Sequence, residues 1–227
     1  MEKNPSKRLI ITIDGPSGAG KSTLARMLSK ALGYAYIDTG AMYRGIAYAF
    51  GNRGAGAGIE EFLEHLDIRF DFAGDTKVFL AGTDISGKIR TPDISSQASR
   101  LSQLSPVRQY LTKIQREIGK DGGVVLEGRD TGSVVFPDAD IKFYLDADPW
   151  ERAQRRHLEF KSKGVETGLT EVKNDMLQRD KNDTERNIAP LIVPEGAAFV
   201  DTTGVDIQGV LTILLKHVRE KEGQWKS

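Results

Sequence analysis

The sequence predicts an α/β fold, a five-stranded parallel sheet flanked by helices, and three observations predict it. A compact, mostly β-branched run from Leu9 to Ile13 ends in Asp14-Gly15-Pro16 and leads into a helical pattern, the strand-loop-helix unit of a parallel sheet. Short apolar runs recur at Ala35 to Ile37, Gly123 to Leu126, Ile141 to Leu145 and Ala197 to Val200, with helical patterns between them. The composition, 39% hydrophobic and 28% charged over 227 residues, is that of a globular chain. A chain of this mass buries roughly 70% of its extended surface, so one domain over 1–227 with insertions is expected.

In chain order, the first helix is expected over Ser22 to Leu32, where Leu24, Met27, Leu28 and Ala31 share a face and Gly33 sits at the left-handed C′ position. The loop starting at Asp38 follows the second strand. Residues 66–91 break the rhythm: Ile68 to Phe72 and Val78 to Leu80 alternate around Ala73-Gly74-Asp75, which predicts a small antiparallel β insert. Helices follow at Ile94 to Leu104 and Val107 to Ile118, the second with Pro106 in its first turn. Another begins at Asp148-Pro149, with Asp148 as N-cap and Glu151 completing a capping box. Residues 161–170 read as a polar connector, and an amphipathic helix over Asp206 to Glu222 closes the chain.

Composition narrows the function classes. Lys plus Arg (32) balances Asp plus Glu (32), and the 17 aromatics show no basic-aromatic interleaving, so no nucleic-acid partner is expected. Zero cysteines exclude a thiolate nucleophile and a zinc-cysteine site, and fit a reducing, cytoplasmic setting. The basic start and the Leu9 to Ile13 run are too short for a signal segment or a span, so no membrane partner is expected. A monomer is the default.

Gly15-Pro16-Ser17-Gly18-Ala19-Gly20-Lys21-Ser22 fits the phosphate-loop pattern G-x-x-x-x-G-K-[ST], and it lies between a buried strand and a helix. There, backbone N–H groups and a helix N-terminus converge on an anion. Lys21 suits the β- and γ-phosphates of a nucleoside triphosphate, and the Ser22 hydroxyl suits Mg²⁺. A switch GTPase also needs an N-K-x-D base reader, which is absent. The D-x-x-G matches at Asp71, Asp84 and Asp201 are no better than noise.

A second anion is implied by arginines. Arg44, in Asp38-Thr-Gly-Ala-Met-Tyr-Arg44, and Arg129, in Glu127-Gly-Arg129-Asp130, follow two strands and so meet at one sheet edge beside the phosphate loop. Arg152, Arg155 and Arg156 fall within one turn of the helix from Pro149. Arg179 lies on the stripe of Val172 and Met176 that should be apolar, which suggests a covered anion; Asp183 and Arg186 follow one and two turns later. Guanidinium groups aimed at equatorial oxygens are what phosphoryl transfer uses. An acceptor that is itself a phosphate is mostly ionised at neutral pH and needs no general base.

Over Leu9 to Glu220 the chain resembles the bacterial cytidylate kinase family. The resemblance is carried by the phosphate loop with Asp14, by Asp38 to Arg44, Ile85-Ser-Gly-Lys-Ile-Arg-Thr91, Gly128-Arg-Asp130, Val134-Val-Phe-Pro137 and Ile188-Ala-Pro-Leu191. It implies the phosphate-loop nucleoside monophosphate kinase fold, with the β insert at 66–91 enlarging the monophosphate-binding region and a lid at 149–187. It implies ATP on Gly15 to Thr23, Mg²⁺ at Ser22 with water and ATP phosphates, and CMP or dCMP as acceptor. The acceptor phosphate would lie on Arg44 and Arg129 near Thr39. Cytosine would be read by Ser99, Arg108 and Asp130, and the sugar and phosphate by Arg179, Asp183 and Arg186. Lys21, Arg129, Arg152, Arg156, Arg179 and Arg186 would serve the transfer, Arg152 and Arg156 from the lid. Two departures stand out: Glu127 replaces an expected Asp, and Ser22-Thr23 replaces the Gly-Thr of some relatives. The alternatives are a phosphate-loop kinase for another small acceptor, or a module that hydrolyses ATP to switch partners.

Overall fold

The computed structural model describes residues 8–53, 58–162 and 164–224; the basic start over 1–7, and Lys163 in the expected connector, lie outside them. The chain begins with β1 (Ile10–Asp14), α1 (Lys21–Leu32), β2 (Ala35–Asp38), α2 (Thr39–Gly51) and α3 (Ile59–Glu64). The strands β3 (Ile68–Asp71), β4 (Lys77–Leu80) and β5 (Thr83–Asp84) come next, then α4 (Pro92–Leu101) and α5 (Ser105–Gly119). The order closes with β6 (Val124–Gly128), a π-helical turn (Thr131–Val135), β7 (Ile141–Asp146), α6 (Pro149–Ser162), α7 (Leu169–Glu185), β8 (Ala198–Asp201) and α8 (Ile207–Gln224).

Five strands form the expected parallel sheet in the order β2-β6-β1-β7-β8. β1 is its centre with β6 beside it, and neither strand exposes a side chain to solvent beyond the first residue of β1, because helices cover both faces. One layer packs Leu24, Leu28, Leu214 and Val218 on Ile11, Ile13 and Phe143. The other packs Met42, Ile46, Val107 and Leu111 on Ile37 and Leu126. The register places Asp14 opposite Gly128, and Asp38 opposite Glu127. Three strand ends that carry polar residues therefore open on one carboxyl edge, where ligands of such sheets bind.

The β insert is a three-stranded antiparallel sheet, β3-β4-β5, turned as expected at 73–75 and 81–82. Thr76 fixes it to the main sheet: its hydroxyl accepts from the Asp38 N–H (2.9 Å) and donates to the Tyr36 carbonyl (3.2 Å).

Local expectations fail in two places. The segment after Asp38 is helix α2 rather than a loop, capped by the Asp38 carboxylate accepting from the Ala41 N–H at 2.7 Å. Asp148 does cap α6, accepting from the N–H groups of Trp150 (2.8 Å) and Glu151 (3.2 Å), yet the capping box does not close. The Asp148 N–H donates to Thr203 Oγ1 (2.9 Å), and the Glu151 carboxylate accepts from the Gly204 N–H (2.9 Å). The start of α6 is thereby tied to the loop between β8 and α8.

Candidate active site

A cleft of about 1030 Å³ lies along the carboxyl edge of the sheet. Its floor is the loop from Gly15 to Gly20. Gly15 and Gly18 adopt φ of 145° and 77°, and a Cβ would meet the Leu145 carbonyl at 2.0 Å in the first case and the Arg152 carbonyl at 2.8 Å in the second, so neither position accepts a side chain. Pro16, Ser17, Ala19, Ser22 and Thr23 complete the run, with Ser17 and Ala19 to Thr23 lining the cleft. Lys21 is buried, and its Nζ donates to the Pro16 carbonyl at 2.5 Å. Burial, with the Arg129 charge adding to it, holds the ammonium down at about 7.

Arg129 reaches the cleft from just past the end of β6, and Arg44 from the second turn of α2 rather than from a loop. Arg44 donates to Asp38 Oδ2 at 3.1 Å. Arg129 Nε donates to Asp183 Oδ2 at 2.9 Å; burial opposes its charge, but the carboxylates of Asp183 and Asp180 outweigh that and raise its pKa. Thr39 Oγ1 donates to the Glu127 carbonyl at 2.7 Å, joining α2 to the end of β6.

At the far end, Asp130 is buried between two guanidinium groups. Arg108 on α5 donates to one carboxylate oxygen and also to the Ser102 carbonyl (3.1 Å), and Arg186 lies 3.3 Å from the other oxygen. Burial raises the Asp130 pKa, against the pull of Arg108 and Arg186. Arg186 also lies 3.7 Å from Asp183. Ser99, on α4, lines the same end of the cleft.

Arg179 also lines the cleft and, among the described residues, makes neither a hydrogen bond nor an ion pair. Burial, then the charges of Arg129 and Arg156, lower its pKa to about 10. Arg156 lines the cleft while paired to Glu159 at 2.6 Å. Arg152 is placed differently from its two neighbours: its guanidinium is buried beneath the phosphate loop, bonded to the carbonyls of Ala147 (3.0 Å) and Ser17 (2.9 Å) and to Asp180, and it does not line the cleft. Arg155 lines it instead, held by Glu151 and by the Thr202 carbonyl (2.7 Å).

Sequence reasoning missed the apolar end of the cleft, formed by Val205, Ile207 and Val210 after β8. Val205 and Ile207 are each 37% exposed, and aliphatic residues four and six positions past the end of β8 were the available signal. Arg90 was missed as well; it lies 3.9 Å from Asp38 and shares that carboxylate with Arg44.

The donor set fits Mg²⁺ in the manner of phosphate-bound sites. Beside Ser22 stands the buried Glu127 carboxylate, which also accepts from the Tyr36 hydroxyl at 3.1 Å. Its pKa is raised by burial and by the neighbouring Asp38, so a cation there would be welcome. Among the described residues no group of three His, Cys, Asp or Glu side chains could cage a metal, which leaves water and phosphate oxygens as the remaining ligands. Among the same residues no helix is long and apolar enough to cross a membrane.

Comparison with known proteins gives the family. The family described as Cytidylate kinase matches residues 11–220. A cytidylate kinase of Thermosipho melanesiensis is 46% identical over 213 residues, 93% of this chain and 97% of its own. One of Syntrophotalea carbinolica is 47% identical over 96% of this chain and 94% of its own, and one of Citrifermentans bemidjiense 44% over 95% of each.

Proposed function

The chain belongs to the cytidylate kinase family, and on that premise we propose that it transfers the γ-phosphoryl group of ATP to CMP or dCMP, giving CDP or dCDP and ADP. The observation that supports the reading is one cleft on one sheet edge, lined both by the phosphate loop and by Arg44 and Arg129. The loop after β1 serves the donor, and Arg44 with Arg129, after β2 and β6, serves the acceptor phosphate.

In this reading the backbone of Gly15 to Thr23 cradles the ATP phosphates, and the apolar Val205, Ile207 and Val210 end takes the donor base. Lys21 neutralises the β- and γ-phosphates. Ser22 and Glu127 would hold Mg²⁺, which would supply charge neutralisation to the transferred group. Asp130 accepts from the cytosine amino group while Arg108 and Ser99 donate to its ring acceptors. Asp183 and Arg186 contact the sugar and phosphate. Arg179, Arg156 and Arg129 converge on the equatorial oxygens, where charge spreads in the transition state. Arg152 acts from below, fixing the phosphate loop, rather than over ATP.

Residues 149–187 work as a lid on a single domain over 1–227. Its closure excludes water, which otherwise competes with the acceptor. No histidine lines the cleft among the described residues, and an ionised acceptor phosphate needs none.

Initial-rate ADP formation with Mg-ATP and CMP, dCMP, UMP, AMP or no acceptor tests the reading. CMP and dCMP should be fastest, with background rate in the absence of acceptor. Equal rates with and without monophosphate would show a hydrolysing module instead.

A further inference from the structure

Asp14 is fully buried at the end of β1, one residue before the phosphate loop, and it does not line the cleft. Its carboxylate accepts three hydrogen bonds, all from the segment that follows Arg129 and Asp130. The Thr131 N–H (2.9 Å) and Thr131 Oγ1 (2.8 Å) donate to Oδ1, and the Gly132 N–H (2.7 Å) donates to Oδ2. Every contact is a donor, so the pocket is built for an acceptor-only group.

That segment is a tight structure. The π-helical turn Thr131–Val135 opens with the Asp130 carbonyl accepting from the N–H groups of Val134 (2.9 Å) and Val135 (3.2 Å). Its far end is held by Arg116, which donates to the carbonyls of Val134 (2.8 Å) and Val135 (2.9 Å). A Cβ on Gly132 would meet Thr12 Oγ1 at 2.6 Å, so the backbone lies directly against β1. The turn therefore has little room to shift if Asp14 releases it, other than toward the cleft side where Arg129 and Asp130 stand.

We propose that Asp14 is a positioning residue for acceptor recognition: it anchors the turn at Thr131 and Gly132 so that Arg129 and Asp130 point into the cleft, and it ties that placement to the start of the donor loop. The proposal rests on the acceptor reading above and goes beyond it, because Asp14 touches neither substrate.

The test uses full-length Asp14→Asn, Thr131→Val and Thr131→Ser. Asparagine sets an amide N–H against a backbone N–H, valine removes one donor at constant shape, and serine keeps it. KM for CMP should rise about tenfold in Asp14→Asn and Thr131→Val, with the CMP to UMP rate ratio falling in parallel, while KM for ATP changes less than about twofold. Thr131→Ser should return the CMP KM to near that of the unaltered protein. Hydrogen exchange without ligands should speed up across 129–136 in Asp14→Asn and stay unchanged across 15–22. If both KM values rise together, or if exchange rises first in the phosphate loop, Asp14 supports the donor side and the proposal is wrong. Should Asp14→Asn fail to fold, the Thr131 pair decides by the same criteria. Acceptor-independent turnover by the unaltered protein would instead overturn the acceptor reading itself, a result separate from any effect of Asp14.

Discussion

Arg179 offers the sharpest test of the site, because it predicts a substitution that stabilises the ligand-free protein while disabling it. The guanidinium lies beside Arg129 and Arg156 with no paired carboxylate among the described residues, and its pKa is lowered from the ordinary arginine value to about 10. A folded pKa below the unfolded one means that the charged form is disfavoured by folding, and at any pH below about 10 the charge costs stability. The shift corresponds to about 3 kcal/mol, which solvent in the open cleft reduces to roughly 1–2 kcal/mol. Arg179→Met keeps the length of the side chain and removes the charge. Thermal denaturation without ligands at pH 7 should then show a midpoint about 3–6 °C higher than the unaltered protein. Raising NaCl from 0.05 to 0.5 M should narrow the gap by screening the like charges. In the kinase assay kcat/KM should fall by about 10²–10³. A variant that melts lower than the unaltered protein would refute the reasoning, since Arg179 would then be part of a stabilising network rather than a cation awaiting an anion.

Asp130→Asn keeps an acceptor for Arg108 but not the carboxylate, and the CMP to UMP rate ratio should fall about tenfold or more; an unchanged ratio removes Asp130 from base reading. For Asp14, burial raises the pKa from 3.8 to about 6 despite the N–H groups of Gly132 and Thr131. The folded state thus holds an extra proton between pH 4 and 6, and stability falls as pH rises through that window. Urea denaturation should show the unaltered protein losing on the order of 3 kcal/mol relative to Asp14→Asn between pH 4 and 7; a pH-independent difference contradicts it.

The parts of this molecule legible from sequence are those fixed by local pattern. β1, its glycine loop and α1 could be read because a buried run, a phosphate-loop spacing and Gly33 each follow from neighbouring residues. α2 was not, because Gly40 and Gly45 lower its helix propensity; Gly45 is there since a Cβ would stand 2.8 Å from Val78 of the insert, a contact invisible in sequence. The π-helical turn depends on Asp14, more than a hundred residues away. Spacing put Arg152, Arg155 and Arg156 on one helix turn but could not say which faces the cleft. That choice is made by the carbonyls of Ala147 and Ser17 and by Asp180, which draw Arg152 under the loop and leave Arg155 and Arg156 outside.

The same contacts explain how so many cations coexist without substrate. Arg44 rests on Asp38, Arg129 on Asp183, Arg186 on Asp130 and Asp183, and Lys21 on the Pro16 carbonyl. Each carboxylate partner is a weaker substitute for a phosphate, because a dianion presents three acceptor oxygens where a carboxylate presents two. On the proposed reading, binding an acceptor phosphate exchanges one ion pair for a stronger one, rather than creating a charge contact from nothing. A nucleoside lacking the phosphate leaves those pairs in place and gains only its base contacts. Arg186 bridges Asp130 and Asp183, so on the proposed reading phosphate and base recognition are joined there, and an acceptor that satisfies one end alone leaves the other held in its resting pairs.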